Sequence, residues 1–142
     1  MIYTSLTKKA LEICFEAHKD QRDKSGMPYV FHPFHLAEQM KDEATTVVAL
    51  LHDVVEDSDF TFADLEKEGF NKDIIDALKL LTHSDGSKYM EYVKRIKENK
   101  IAKAVKLADL RHNSDTTRLD VIDESAIKRR DKYLKAIKFL EE

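Results

Sequence analysis

Residues 43–57, EATTVVALLHDVVED, form the most apolar stretch of the chain and decide its fold. The apolar side chains of 47–51, Val54 and Val55 leave this segment almost no face for solvent. Its β-branched residues would suit a strand, but the run is long for a strand and its polar residues recur at helical spacing. We therefore predict a buried helix from about Glu43 to Glu56.

The flanking segments also repeat apolar residues at the spacing of a helix. Gly26 and Pro28 interrupt this pattern, so DKSGMPYVFHP (residues 23–33) is predicted to be a loop. Further helices are predicted over about Ser5 to Asp20, from Pro33 to about Met40, along the apolar stripes Ile74–Leu81 and Tyr89–Ile96, and over about Ile101 to Asn113. A capping box at Thr61 and Asp64 predicts the start of another short helix. The last helix is predicted from about Glu124, with Ile127, Leu134 and Ile137 buried. The expected fold is all-α: a single domain over residues 1–142, built as an irregular bundle of about seven or eight helices.

Composition limits the classes of function. The 142 residues carry a net charge of -3, which argues against a surface that coats nucleic acid. Cys14 is the only cysteine, so an internal disulfide is excluded and a reducing cytoplasm fits. The first residues lack the basic region of a signal peptide, and no apolar run approaches the roughly 20 residues that span a membrane. We expect a cytoplasmic protein without nucleic-acid or membrane partners, whose oligomeric state the sequence does not give.

Four ionisable residues lie at the end of the apolar segment, in HDVVED (residues 52–57). His52 and Glu56 are four residues apart, as are Asp53 and Asp57, so each pair would share one face of a continuous helix. Three neighbouring carboxylates repel one another unless a cation lies among them. The alternative is a helix end whose acidic side chains simply reach solvent.

Two distant residues complete a possible metal site. His32 follows the Gly/Pro loop, and Asp109 lies in the otherwise apolar VKLADLRHN (residues 105–113). Each has a simpler interpretation, His32 as an ordinary loop residue and Asp109 as the ion-pair partner of Lys106 or Arg111. The complete candidate set of ligands is His32, His52, Asp53 and Asp109. Two imidazoles and two carboxylates suit Mn²⁺, Fe²⁺, Mg²⁺ or Zn²⁺ in an open site that also holds water.

The motifs resemble a known family in order and spacing. H…HD…D is the ligand pattern of HD-superfamily phosphohydrolases. The strings AHKDQRDKSGMPYVFHP (residues 17–33), LLHDVVEDSDFT (residues 50–61) and VKLADLRHN are most similar to three segments of the RelA/SpoT hydrolase domain. The resemblance covers nearly the whole chain.

This resemblance implies an activity and a set of residue roles. Such enzymes remove pyrophosphate from the 3′ position of (p)ppGpp and return GDP or GTP. The four candidate ligands match those of one Mn²⁺, and Glu56 and Asp57 match an acidic pair that activates the attacking water. The matches to nucleotide-holding positions are Lys24, Ser25, Asn113 and Thr116. Because no synthetase region follows, the resemblance is to stand-alone small alarmone hydrolases.

Further cations are available for the substrate phosphates. Arg22, Lys24, Lys106 and Arg111 are candidates, although each has an equally simple interpretation as a solvated surface charge. Among the other histidines, His18 is either close to the pocket or part of the core, and His112 is structural. His35 and His83 are interpreted as ordinary surface or packing residues.

One departure from the family pattern leaves the substrate open. Longer members place an arginine that packs on the purine where this chain has Asp23. Asp23 either accepts hydrogen bonds from guanine or points to solvent while Arg22 packs on the purine. Two alternative functions follow: a phosphohydrolase for another nucleotide, such as ppApp or a phosphorylated dinucleotide, and a non-catalytic nucleotide-sensing module. Glu56 and Asp57 argue against the sensing module, because a mere binder needs no pair that activates water.

Overall fold

The chain folds entirely through α-helices in its computed structural model, which describes residues 1–83 and 86–142. Within these ranges there are nine α-helices, one 3₁₀ helix and no β-strand. The helices are α1 (Ser5–His18), α2 (Phe31–Glu38), α3 (Glu43–Leu51), α4 (Val54–Asp57), α5 (Phe62–Lys67), α6 (Lys72–Leu81), α7 (Tyr89–Lys97), α8 (Lys100–Asn113), the 3₁₀ helix (Thr116–Arg118) and α9 (Glu124–Glu141). The all-α prediction is confirmed.

Side-chain caps fix where several helices begin. The predicted capping box at Thr61 and Asp64 is present at the start of α5. Asp42 caps α3 by accepting a hydrogen bond from the backbone N–H of Thr45 at 2.8 Å, and Asn99 does the same for α8. Each cap satisfies a backbone donor that the first helical turn leaves without a partner.

Helix α3 lies at the centre of the bundle and contacts α1, α2, α6 and α8. Its residues 47–51 are all at most 1% exposed. The predicted continuous helix from Glu43 to Glu56 is wrong, because Asp53 adopts φ -109° and ψ 1° and separates α3 from α4. These angles lie in the bridge region of φ/ψ space, where many active-site residues are found. The split adds one helix to the expected eight and turns His52 and Asp53 into a corner between two helices.

The last helix buries a different face from the one predicted. Ile127 and Leu134 are exposed, and Ile137 is only half-buried. The buried residues are instead Ala126, Ala136 and Leu140. Packing on α7 and α8 selects this face, and small alanines allow a neighbouring helix to come close. Among the described residues, no helix combines the length and the apolarity that crossing a membrane requires.

Candidate metal and nucleotide site

Three helices bring two histidines and one aspartate into a buried cluster. His32 lies on α2, His52 follows α3, and Asp109 lies on α8. Nε2 of His32 is 2.8 Å from Oδ1 of Asp109, and Nε2 of His52 is 3.6 Å from the same oxygen. One ligand atom from each of the three lies within 4.8 Å of the others, a separation that one metal ion can bridge. The packing of α2 and α8 against α3 produces this convergence.

Asp53 joins the cluster from the corner between α3 and α4. Its Oδ2 lies 3.0 Å from Nε2 of His52. The same oxygen accepts a hydrogen bond from the hydroxyl of Tyr29. Three of the four predicted ligands thus have ligand atoms that all lie within 4.8 Å of one another, and the fourth, Asp53, contacts one of them, His52.

Hydrogen bonds on the far side of each imidazole orient the ring. Nδ1 of His52 donates to the carbonyl of Ala49 at 2.7 Å, so Nε2 faces the carboxylates and offers a lone pair when the ring is neutral. That Nε2 is buried and makes no hydrogen bond with any described residue. Nδ1 of His32 lies 2.7 Å from Nδ1 of His112, and their rings stack. A buried nitrogen lone pair beside two carboxylates fits a divalent metal ion, and orienting partners of this kind are usual for metal-binding histidines.

The charges of the cluster favour a cation. Burial alone would lower the pKa of His52, but Asp53 and Asp109 raise it well above its usual value. Burial would raise the pKa of Asp109, but Lys106, His32 and His52 hold it well below its usual value. The two carboxylates therefore stay ionised and attract a positive charge, for which a proton and a metal ion compete.

The imidazole of His112 stays neutral beside His32. Burial, followed by the positive charge of Arg118, lowers the pKa of His112 to about 4. A neutral imidazole can accept or donate a hydrogen bond at Nδ1, so the contact with His112 holds the ring of His32 in place. Nε2 of His32 then faces Asp109, where a metal ion would lie.

Asp109 is also held by its own helix. Nζ of Lys106 donates to its Oδ2 at 2.9 Å, and Nδ2 of Asn113 donates to its Oδ1 at 2.9 Å. The ion pair with Lys106, one of the two partners considered from sequence, is therefore present. Arg111 instead pairs with Glu141 at 2.6 Å on the surface.

The acidic residues Glu56 and Asp57 both lie on α4, and their side chains have different surroundings. Glu56 lies beside His52 and Asp53, and its Oε1 accepts a hydrogen bond from the backbone N–H of His83 at 2.9 Å. Burial raises the pKa of Glu56, and the neighbouring carboxylates add to this. Asp57 lies in a shallow depression outside the cluster, where its Oδ2 accepts from Nε2 of Gln21 at 3.1 Å. Glu56 therefore shares a cavity with His52, four residues earlier, and the backbone N–H of Asp57 donates to the carbonyl of Asp53, also four residues earlier, at 3.0 Å.

Two cavities flank the cluster. The first, of about 340 Å³, includes His32 and five of the predicted substrate-binding residues: Arg22, Lys24, Ser25, Asn113 and Thr116. The second, of about 260 Å³, includes His52, Asp53, Glu56, Asp109 and the sixth predicted residue, Lys106. Asn113 and Tyr133 line both cavities, so the cluster lies between two adjoining spaces.

The solvent-facing orientation considered for Asp23 is wrong, and its hydrogen bonding to guanine stays a prediction. Its side chain is only 13% exposed, so it does not point to solvent. Its Oδ1 accepts hydrogen bonds from the N–H and the hydroxyl of Ser25 and from the N–H of Met27, and its Oδ2 accepts from Arg118 at 3.2 Å. Both oxygens are therefore committed within the protein. Arg22 does not turn inward, because it is exposed and its Nη1 donates to the carbonyl of Gly26.

Sequence reasoning missed several residues around the site. Tyr29 and Gln21 lie in the quoted loop motif, but nothing local shows that they reach Asp53 and Asp57. His18, for which the sequence left a position near the pocket or in the core open, is fully buried, and its Nδ1 lies 2.8 Å from Oε1 of Gln21. His83 was predicted to be an ordinary surface or packing residue, yet its backbone N–H holds Glu56.

Comparisons with known proteins agree with this geometry. The HD-domain family matches residues 10–122. The chain is 30% identical over 140 residues to a probable GTP pyrophosphokinase of Mycobacterium leprae, covering 89% of this chain and 18% of that protein. It is 33% identical over 124 residues to the bifunctional (p)ppGpp synthase/hydrolase SpoT of Escherichia coli, covering 77% of this chain and 18% of SpoT. The chain thus spans less than a fifth of the length of these two relatives.

A solved structure is similar over nearly the whole fold. It is that of a metazoan ortholog of SpoT that hydrolyzes ppGpp and plays a role in starvation responses. It superposes with a TM-score of 0.76 at 27% identity, covering 99% of this chain and 85% of the other.

The family match and the buried cluster point to the same kind of centre. An HD domain implies a divalent metal ion, and the His32, His52 and Asp109 cluster has the donor types and spacing to hold one. The chain therefore belongs to the HD-domain family, and within it resembles the RelA/SpoT-type hydrolases.

Proposed function

We propose that this chain hydrolyses the 3′-pyrophosphate of (p)ppGpp, giving GDP or GTP and pyrophosphate. The observation that carries the proposal is the buried two-histidine, two-carboxylate cluster between two polar cavities. The hydrolases named among the similar proteins support the choice of substrate.

The proposed metal is a single Mn²⁺ held by His32, His52, Asp53 and Asp109. A divalent ion at this position lowers the pKa of its bound water and offsets negative charge on a phosphoryl oxygen. Asn113 and Lys106 hold Asp109 in place, and Tyr29 holds Asp53. These contacts keep the ligand atoms ready without further rearrangement.

Glu56 is the proposed base for the attacking water. Its carboxylate lies in the same cavity as His52 and Asp53, and burial raises its pKa toward neutrality, which suits a group that must accept a proton. The water oxygen forms a bond to the 3′-phosphorus, the bond from that phosphorus to the ribose O3′ breaks, and pyrophosphate leaves. Glu56 takes the proton that the attacking water loses, and returning that proton to O3′ completes the free 3′-hydroxyl. Asp57 assists Glu56 from outside the cavity and is oriented by Gln21.

The first cavity is proposed to hold the nucleoside end of the substrate. Arg22, Lys24 and Ser25 line its loop side, and Asn113 and Thr116 line its helix side. The second cavity is proposed to hold the phosphate groups, and Lys106 on its wall would offset their negative charge. Lys106 is buried, and the neighbouring Asp109 raises its pKa, so it remains charged.

The test is a nucleotide panel incubated with the Mn²⁺-loaded protein, with products separated by chromatography. It contains ppGpp, pppGpp, ppApp, GTP and a 3′-phosphorylated dinucleotide, and Asp53→Asn is the inactive control. Release of GDP and pyrophosphate from ppGpp, lost in the control, is the expected result. Turnover of a different nucleotide alone would replace the substrate, and binding without any turnover would favour a sensing module. Repeating the ppGpp reaction with Mg²⁺, Fe²⁺ and Zn²⁺ tests the choice of metal.

The remaining expectations belong to the same proposal. Residues 1–142 form one HD domain that works on a small-molecule nucleotide. A cytoplasmic location is proposed because Cys14, the single cysteine, is a buried free thiol.

A further inference from the structure

Arg118 is fixed in the first cavity by two parts of the chain that are distant in sequence. Its Nη2 donates to Oδ2 of Asp23 in the loop before α2, at 3.2 Å. Its Nη1 donates to the carbonyl of His112 near the end of α8, at 2.9 Å. The side chain is three-quarters buried and lines the same cavity as Lys24 and Asn113.

Two such bonds orient a guanidinium group in a particular way. The N–H donors of arginine lie in the plane of the group, so bonds from both terminal nitrogens fix that plane. They occupy its edge, and the side chain is accessible from the first cavity, which it lines. A fixed planar cation can stack on the flat face of a nucleobase.

Asp23 is the residue that makes this arrangement rigid. Burial would raise its pKa, but hydrogen bonds from Ser25 and Met27 and the charge of Arg118 hold the pKa below its usual value. Asp23 is therefore ionised, and its Oδ1 is already anchored to its own loop. The free Oδ2 can then hold Arg118 without the loop having to reorder.

The other cations of the cavity are held differently. Lys24 is exposed and has no planar group. Arg22 is exposed and bonded to the carbonyl of Gly26 within its own loop. Arg129 bonds to Ser125 one turn earlier on α9, so a single helix positions it. Arg118 alone among these four is bonded to two separate walls of the cavity within the described chain.

We propose that Arg118, positioned by Asp23, packs against the base of the bound nucleotide and makes the first cavity prefer purines to pyrimidines. This inference deepens the proposed function, since it rests on the first cavity holding the nucleoside. A two-ring base offers more area to the guanidinium face than a one-ring base, so the preference is for ring size and not for guanine over adenine.

The test measures binding and does not depend on turnover. Dissociation constants for ppGpp and for its uridine counterpart are measured calorimetrically with Mn²⁺ present, in a Glu56→Gln background that suppresses hydrolysis. In that background we expect ppGpp to bind about 3- to 30-fold more tightly than the uridine compound, the range of a cation–π contact.

Three further variants separate stacking from charge. Arg118→Lys keeps the positive charge beside Asp23 but removes the planar face, so the purine preference should fall to near one. Asp23→Asn keeps a hydrogen-bond acceptor for its loop but loosens Arg118, so the preference should fall partway. Arg129→Lys makes the same chemical change on the same cavity and should leave the preference unchanged. Circular dichroism melts confirm that each variant is folded.

Several outcomes would overturn the inference. An unchanged preference in Arg118→Lys, or an equal loss of affinity for both nucleotides, would reduce Arg118 to a phosphate-binding or structural residue. Absence of binding by either nucleotide would remove it altogether. If ppGpp binds with a purine preference that depends on Arg118 but the wild-type protein does not hydrolyse it, the proposed activity fails and this inference stands.

Discussion

The ion pair between Lys106 and Asp109 should stabilise the metal-free protein measurably. Both side chains are nearly buried, at 13% and 9% exposure, and Nζ lies 2.9 Å from Oδ2. Asp109→Asn leaves the ammonium group of Lys106 without its carboxylate partner. Removing one partner of a buried pair costs about 3–5 kcal/mol, so we expect a loss of about 3 kcal/mol in the free energy of unfolding.

The companion change should cost less. Lys106→Met leaves Asp109 with the hydrogen bonds from His32 and Asn113. In the double variant neither charge remains, so its loss should be smaller than the sum of the two single losses, by about 1–3 kcal/mol. That difference is the coupling energy of the pair.

The assay is urea unfolding in EDTA, which keeps metal binding out of the measurement. At a typical slope of about 1–3 kcal/mol per molar urea, Asp109→Asn should lower the midpoint by about 1–3 M. Arg111→Met is the matched control, because Arg111 lies on the same helix but its pair with Glu141 is half-exposed. Such a surface pair contributes at most about 1 kcal/mol.

The reasoning would be refuted by losses that add within about 0.5 kcal/mol in the double variant. It would also be refuted if the Arg111 control cost as much as Asp109→Asn. Either result would mean that the buried pair contributes no more than a surface contact.

Four other outcomes are expected. Glu56→Gln and Asp57→Asn should each still bind Mn²⁺, as measured by calorimetry, but should slow turnover by about 10²-fold or more. Full activity in both variants would show that these residues do not activate the water. Affinity for Mn²⁺ should fall by up to about tenfold per pH unit as the pH is lowered from 8 to 6. Asp53 and Asp109 raise the pKa of His52, so a proton competes with the metal for this imidazole. Equal affinities at both pH values would contradict this. Asp42→Ala should lower the free energy of unfolding by about 0.5–2 kcal/mol through loss of the α3 cap, and an unchanged urea midpoint would show that the cap contributes nothing. Gel shifts at physiological salt should show no tight DNA or RNA binding, since the net charge is -3, whereas a salt-sensitive submicromolar complex would overturn this expectation.

Much of the fold and the candidate site could be predicted from local sequence patterns. The apolar periodicity predicts the helices, and the Thr61–Asp64 box marks the start of α5, because both depend on residues within one or two turns. His32, His52, Asp53 and Asp109 stand out because charged and ligand-type residues are rarely placed in apolar segments without a reason. The structure brings the first, second and fourth of these side chains together and places Asp53 against His52.

Other features depend on contacts that no local pattern encodes. The inward face of α9 was predicted wrongly because its apolar residues are spread around the helix, and only packing on α7 and α8 decides which of them are buried. The break at Asp53 likewise falls inside a segment whose periodicity is continuous with a helix.

By itself, then, the sequence determined the helical class, the main helices and the chemical types of the clustered residues. The tertiary structure decided how these groups are oriented and which residues face the nucleotide cavity. Asp23 and Arg118 are 95 positions apart, and Gln21 and Asp57 are 36 apart. Contacts over such separations form only when helices from different parts of the chain pack together, and side-chain hydrogen bonds depend on that packing to within a fraction of an ångström.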